Sequence, residues 1–334
     1  MALIKVNNRG QSADFATPVE RGLQSKNLIM NGDFRVWQRQ NSGTSIALNS
    51  FGPDRWAVRG GGAMTLTSRT DYGTPKCLLA QSSSQTNVGI GQRIEAINCK
   101  RFAGQQCTIS YYLRADYPAY HNLLMLYANA EDNHGGGQTP FINTAKSYSS
   151  NVVTQITHTF TMPANAANGI DVILQWYDGG AGAFNLTAFI WDIQLELGDT
   201  ATEYERLDIG QQTLQCQRYF QQIGRTTGSN GMAGRLITAQ NSGGTCIAGY
   251  VLPVTMYGHP SATGYGGNST TGNVNVNYSN TSSSGAMPGF MNYISTDERA
   301  IGFNMGSTGN ANGSSWIDMG NTGNAFGLEL QAEL

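Results

Sequence analysis

Aromatic side chains lie in this sequence with amides and acids beside them. Trp176 and Tyr177 are adjacent, Gln175 and Asp178 flank them, and Tyr127 sits in a second strand-like run. Tyr111, Tyr112, Tyr117 and Tyr120 add rings, and Asn129 and Asp132 add polar partners. That set suits carbohydrate binding. An aromatic face packs against the apolar C–H face of a sugar ring, amides and carboxylates read the hydroxyls, and a mostly preformed cleft limits the ordering cost. Neighbours in a strand point to opposite faces, so only one of Trp176 and Tyr177 faces out. The expected platform is that one together with Tyr127. The competing reading is that alternation buries half of these rings and no ligand is involved.

Catalysis has less to build on. A glycoside hydrolase holds two carboxylates about 5 to 10 Å apart, and no motif here positions such a pair among the 22 acidic residues. His121, His134, His158 and His259 are scattered, and neither HExxH nor GxSxG occurs. "EDNHGGG" at 131–137 reads as a turn rather than a metal loop. Cys77, Cys99, Cys107, Cys216 and Cys246 are odd in number and form no CxxC, so neither a disulfide framework nor a zinc site is expected. Buried free thiols in a reducing cytoplasm fit instead. The chain is expected not to be an enzyme and to need no cofactor.

The elements that would carry these side chains are short and alternating. "AMTLTSR", "CTISYYLRA", "GIDVILQWYD" and "LTAFIWDIQLELG" lie between turn-forming stretches rich in Gly, Asn, Asp and Pro. Strands at this spacing, without a long helical period, predict an all-β sandwich. In "GIDVILQWYD", Ile170, Val172, Leu174 and Trp176 share one face, and Asp171, Ile173, Gln175 and Tyr177 the other. Residues 208–224 break the pattern. Asp208 suits a helix N-cap and Gly224 a helix end. Ile209, Thr213, Cys216, Phe220 and Ile223 form a heptad-like stripe between them. That stripe faces either the helix's own sandwich or a neighbouring subunit. Residues 225–334 predict a second β-rich domain. It contains no lysine, is poor in core residues, and would gain from oligomer contacts.

Only 13% of the 334 residues are charged and 42 are glycine, against roughly 25% and 7% in ordinary domains. The lysines are Lys5, Lys26, Lys76, Lys100 and Lys146. A net charge of −2 without a basic run argues against a nucleic-acid partner. No apolar stretch approaches the roughly 18 residues of a membrane span. The first 22 residues lack a signal-peptide hydrophobic region, so conventional secretion is not expected.

Six blocks occur in order: "NLIMNGDFRVWQR" (27–39), "PDRWAV", "GIGQRIEAI", "CTISYYLRA", "FIWDIQLELGDTATEYERLD" and "QQTLQCQRYFQ". Together they resemble the sandwich module of tailed-phage fibre and virion structural proteins, which is related to carbohydrate-binding jelly rolls. The resemblance covers roughly residues 27–223. It implies an extended docking arm at 1–26, a carbohydrate-binding-module-like jelly roll at 27–207, a connecting helix at 208–224 and a β-rich tip at 225–334. It implies a non-enzymatic virion protein made in the host cytoplasm. The protein would be a homotrimer with Ile209, Cys216, Phe220 and Ile223 at the interface, attached to other virion proteins through residues 1–26. As a tail fibre it would bind host-surface polysaccharide through Tyr127, Trp176, Tyr177, Gln175 and Asp178. The alternative is a head fibre or capsid decoration protein, which the short arm also suits. Related jelly rolls often hold a structural calcium near the chain ends. Asp192 matches the acidic position there, but Arg35 stands where glutamate is usual, and a guanidinium opposes a cation.

The residues of the first block also have a structural reading. Asp33 is expected to hold the Asn31-Gly32 turn by accepting backbone N–H groups. Trp37, Trp56 and Trp191 are expected in the core. Arg39, Arg55 and Arg93 are expected to pair with Asp54, Glu95 and Glu205, with "WDIQLELG" closing beside "NLIMNGDF".

Overall fold

The computed structural model describes residues 25–39, 41–116, 120–178, 182–223, 235–242, 245–265, 275–278, 293–296, 300–305, 315–318 and 327–334. Of the expected docking arm, residues 1–24 lie outside the described residues. The chain is all-β. Its main body is a jelly-roll sandwich of eleven strands: β1 (Thr44–Ile46), β2 (Ala57–Gly60), β3 (Met64–Arg69), β4 (Cys77–Gln85), β5 (Asn87–Ile94), β6 (Gln106–Ala115), β7 (Tyr120–Ala128), β8 (Gln138–Lys146), β9 (Thr154–Thr161), β10 (Ile170–Tyr177) and β11 (Phe184–Leu197). One sheet runs β1-β3-β4-β11-β6-β9 and the other β2-β5-β10-β7-β8. The strand pairs within them are antiparallel.

Period-two alternation builds the core. Ile170, Val172, Leu174 and Trp176 of β10 face Leu123 and Met125 of β7 and Val88 and Ile90 of β5, all at or near zero exposure. From the six-stranded sheet come Leu66, Leu78, Ala80, Ile109, Tyr111, Leu113, Ala188 and Ile190. Strand β11 departs from simple alternation. A register shift between Trp191 and Gln194 leaves Asp192 at φ 53°. This bulge lets both Ile190 and Ile193 point inward, although they are three residues apart.

The opening block fastens the ends of the sandwich. Leu28 N donates to Leu195 O at 2.8 Å, and Asn27 Nδ2 donates to Ile193 O at 3.0 Å. Gly32 is needed for close approach, because a Cβ there would lie 2.1 Å from Ile193 O. The turn is held differently from expectation. Asn31, not Asp33, clasps it: Asn31 Nδ2 donates to Val36 O and Asp54 O, and Oδ1 accepts from Val36 N. Asp33 accepts from the side chains of Arg35 and Gln212 instead. Trp56 is in the core as expected; Trp191 is buried, but outside the core cluster and beneath the rings of Tyr72 and Tyr112, and Trp37 is only partly covered.

Two α-helices, α1 (Ala96–Cys99) and α2 (Ile209–Gln217), and one 3-10 helix (Ala164–Asn168) are described. Asp208 caps α2 by accepting from Gly210 N. The expected helix to 224 stops short, because Phe220–Ile223 forms strand β12. The later strands are β13 (Arg235–Ser242), β14 (Thr245–Val251), β15 (Ser261–Tyr265), β16 (Asn275–Tyr278), β17 (Tyr293–Thr296), β18 (Ala300–Met305), β19 (Ser315–Asp318) and β20 (Gly327–Gln331). They make a small sheet, β12-β20-β15, and a six-stranded sheet, β16-β19-β13-β14-β18-β17. The boundary expected at 224/225 is therefore not a clean one, since β20 returns to pair with β12.

The apolar stripe of α2 turns inward. Cys216 and Phe220 are fully covered within the chain, while Ile209 is about half exposed. Cys216 and Phe220 are thus core residues rather than interface residues: β12 is hydrogen-bonded to β20, and the Arg39 guanidinium lies 3.8 Å over the Phe220 ring. The side-chain environment of Ile223 lies outside the described residues. Leu214, which the stripe omits, is also about half exposed.

A buried ionic clamp joins the C-terminal segment to the sandwich. Arg55 (φ 72°) is buried, ion-pairs with Glu333, donates to Arg93 O, and stacks 3.4 Å over Tyr219. Arg39 reaches Glu333 at 3.1 Å and Asp54 at 3.5 Å. Arg218 grips buried Glu95 with two bonds, at 2.7 and 2.9 Å. Of the expected pairings only Arg39 with Asp54 forms. Arg93 pairs with Asp171, Glu95 with Arg218, and Glu205 with Ser25.

Candidate functional site

The outer face of the five-stranded sheet carries two of the expected site residues together. Strand β10 presents Asp171, Ile173, Gln175 and Tyr177 there. Register places Gln175 between Gly89 of β5 and Asn122 of β7, and Tyr177 between Asn87 and Tyr120. Gln175 Nε2 donates to Asn87 Oδ1 at 2.6 Å, and Asn122 Nδ2 donates to Asn143 Oδ1 at 2.7 Å. These bonds fix the amides as two neighbouring pairs, one across β10 and β5 and one across β7 and β8. Ile173 and Leu124 lie one row further on, both part-exposed. Tyr177 and Gln175 are part-exposed, and Asp178 follows at the strand end, where its carboxylate accepts from Gly182 N.

The other half of the same face is closed. Arg59 crosses from β2 over Gly91, where a Cβ would lie 2.9 Å from its Cγ. Its guanidinium donates to Asn49 and lies 3.9 Å from Asp171, which Arg93 also approaches at 3.3 Å. Arg93 donates to Leu334 O as well. Burial lowers the Arg59 pKa and pushes that of neighbouring His134 down to about 4. This end is a buried charge cluster rather than a cleft.

Two expected platform residues are displaced. Trp176 has zero exposure, because its parity is that of the core face, and its ring lies 4.7 Å from His121. It is not a ligand platform; Tyr177 is the partner that faces out. Tyr127 pairs with Ile170, at the far end of β10 from Tyr177, and packs on the core edge against Phe141. At about 3.3 Å per residue, the two tyrosines stand roughly 20 Å apart and on opposite faces. They form no common platform. Asn129 and Asp132 lie near Tyr127's end, bonded to Thr139 and Ala96. Tyr111 is core, with its hydroxyl 2.6 Å from His121 Nε2. Tyr112 faces out from the other sheet, and Tyr117 lies outside the described residues. Asn87, Asn122 and Asn143 were not singled out in the sequence. The outward parity of β10, once Trp176 is assigned inward, points to them through register.

Asp192 is the position at which the resemblance implies calcium, and Arg206 approaches both it and Asp33. Arg35 Nε reaches Asp33 at 2.5 Å, Gln212 donates to Asp33 at 2.7 Å, and Arg206 reaches Asp192 at 2.7 Å and Asp33 at 3.8 Å. Calcium takes six to eight oxygens; here two carboxylates face two guanidiniums, and Asp192 Oδ1 is the one buried acceptor of the pair left over. The donor set does not fit calcium. Among the described residues no group of three His, Cys, Asp or Glu side chains is placed to hold a metal.

No known family profile matches the sequence, and no curated protein matches it. Among solved structures, similarity is found to a CBM4 protein at 18% identity, covering 50% of this chain and 98% of that one, with a TM-score of 0.33. The CBM22-1 xylan-binding domain of Xyn10C from Paenibacillus barcinonensis matches at 14% identity, 48% and 99% coverage, and a TM-score of 0.34. The enzymatically active domain of tailspike protein 4 from bacteriophage CBA120 matches at 11% identity, 52% and 22% coverage, and a TM-score of 0.36. These scores are low, and the fold assignment rests on the chain's own strand order.

Proposed function

We propose that this chain is a non-enzymatic virion fibre protein that binds host-surface polysaccharide through the open half of its five-stranded sheet. The observation that carries the binding reading is the part-exposed Tyr177 beside two hydrogen-bonded amide pairs, Gln175 with Asn87 and Asn122 with Asn143. Tyr177 offers a stacking face, and the amides offer donors and acceptors held by their mutual bonds, so little ordering is lost on binding. Turnover has no support in this region. His121 is buried against Tyr111, and Asp171 is engaged by two arginines.

The virion reading is supported by the ordered sequence blocks and the lysine-poor, glycine-rich composition. Residues 1–26 are then the docking arm, and residues 225–334 the tip. A homotrimer is part of the proposal. Exposed Ile209 and Leu214 on α2 are the residues to contact a neighbour, in place of Cys216 and Phe220. A single site of this kind binds with a Kd near about 1 mM, roughly −4 kcal/mol. Multivalent display raises the apparent affinity by ~10²-fold or more. A glycan array probed with wild type, Tyr177→Ala and Gln175→Ala tests it. Binding lost in both variants supports the site. Binding unchanged in both removes it. No binding to any polysaccharide, together with immunogold label on the head, favours the decoration role.

A further inference from the structure

The opposite, six-stranded sheet carries a second aromatic arrangement, built on residues the Tyr177 face does not use. The turn between β3 and β4 folds Tyr72 back over the outer face of β11. Its ring lies parallel to Trp191, centroids 5.0 Å apart and planes 3° apart. Trp191 in turn lies parallel to Tyr112 at 5.5 Å and 8°. Phe189 meets Tyr72 edge-on at 5.2 Å. Trp191 is 4% exposed and Tyr72 40% exposed, so the stack covers one side of the Tyr72 ring and leaves the rest to solvent.

Two features set this ring apart from a chance surface tyrosine. Tyr72 has φ 61°, a left-handed conformation that asparagine and glycine adopt readily and a bulky ring rarely does. The sequence keeps a ring where the backbone favours a small polar residue. Beside it, Arg69 and Asp71 form a two-bond pair at 2.8 and 3.4 Å, both side chains well exposed. A flat, immobilised aromatic face rimmed by a fixed donor–acceptor pair is complementary to one pyranose ring. The C–H face stacks, and vicinal hydroxyls bridge to the carboxylate and guanidinium. The Arg69–Asp71 pair has no net charge and its guanidinium is already engaged by the carboxylate, so it offers a polyanion no net attraction and the class is neutral pyranose.

We propose that the Tyr72 ring, held by Trp191 and rimmed by Arg69 and Asp71, is a second carbohydrate contact on the side of the sandwich opposite Tyr177. It stands independently of the Tyr177 site. With both occupied, one chain holds two glycan strands, one on each face.

The indole N–H resonance of Trp191, assigned by its loss in Trp191→Phe, reports directly on this stack. The probes are the methyl glycosides of β-glucose, β-galactose and α-mannose at about 50 mM, enough to populate a site of millimolar Kd. At least one glycoside is expected to shift this resonance in wild type, Tyr72→Phe and Tyr177→Ala, and to shift it at least about threefold less in Tyr72→Asn, which suits the left-handed backbone but removes the ring. Nuclear Overhauser contacts between glycoside C–H protons and the Tyr72 ring in the wild type provide a readout that needs no variant. An indole resonance unmoved by all three glycosides overturns the proposal. So does a full shift in folded Tyr72→Asn, or a larger shift with adenosine monophosphate than with any glycoside. Loss of the shift in Tyr177→Ala with Tyr72 intact assigns the binding to the Tyr177 face and equally overturns it.

Discussion

Glu333→Ala removes the carboxylate on which two buried guanidiniums converge. Side-chain exposure is 2% for Arg55, 2% for Glu333 and 9% for Arg39. A charge pair about 3 Å apart at an effective dielectric of about 20 is worth about 5 kcal/mol. Truncation also leaves Arg55 with only the Arg93 carbonyl and the Tyr219 ring. Removing one partner of a buried pair costs about 3–5 kcal/mol for this reason. Arg39 keeps Asp54 at 3.5 Å, which places the expected loss near the lower end, about 3 kcal/mol. Glu333→Gln keeps hydrogen-bonding capacity and should lose less. Arg55→Met combined with Glu333→Leu should recover most of the loss, because neither charge is then stranded. Guanidinium titrations followed by fluorescence of buried Trp56 and Trp176 measure this. A Glu333→Ala midpoint within about 1 kcal/mol of wild type at unchanged slope would refute the clamp.

Acid should destabilise the fold. Burial pushes His121 down to about 3 and His134 down to about 4, so the unfolded chain binds these protons first. Stability is then lost as pH falls from about 6.5 towards 4 for His134 and towards 3 for His121, by about 2 kcal/mol for each histidine at pH 5. Asp54 is raised to about 6 by burial and works the other way, taking up its proton in the folded state. Asp54→Asn should therefore steepen the acid limb in a pH series of melting temperatures, and an unchanged limb would contradict this assignment. Trp176→Ala should cost about 3–5 kcal/mol as a core truncation, whereas Tyr177→Ala should cost under about 1; comparable losses in the two would place Trp176 wrongly. Chelation with EDTA should leave the melting temperature unchanged, while Arg206→Gln lowers stability by about 1–2 kcal/mol by exposing Asp33 and Asp192 to each other; a drop of several degrees with EDTA alone would overturn the guanidinium account.

Period two in "GIDVILQWYD" was enough to separate the core face of β10 from the outer face, because both faces of that strand are regular along its length. The same rule left open which of Trp176 and Tyr177 faces out, and register against β5 and β7 decides it. Tyr127 misled because its strand and its aromatic character were legible but its parity relative to β10 was not. The bulge at Asp192 changes side-chain parity within one strand, and no local sequence signal marks it beyond a single acid among apolar residues. The heptad-like spacing of Ile209, Cys216 and Phe220 reads as one helix. The helix ends at Gln217, and Phe220 joins a strand whose partner lies more than a hundred residues away. Long-range pairing of that kind overrides local period. Tyr72 was invisible for a similar reason: its importance comes from a turn that lays it on Trp191, far along the chain.

The pairing of β12 with β20 sets Ile223 opposite Leu328, so the chain leaves and re-enters the sandwich side at one place. Strand β15 joins the other edge of β20, and Tyr257 N donates to Arg218 O on the way. The six-stranded sheet of β13, β14 and β16–β19 is thus spun out in two excursions from a three-strand anchor, one before β15 and one after. Such a sheet is a cassette. Both excursions begin and end on the anchor, so a change in their length leaves the Arg55–Glu333 and Glu95–Arg218 pairs in place. A designed chain that replaces each excursion with a short turn should retain the anchor and the sandwich as one folding unit.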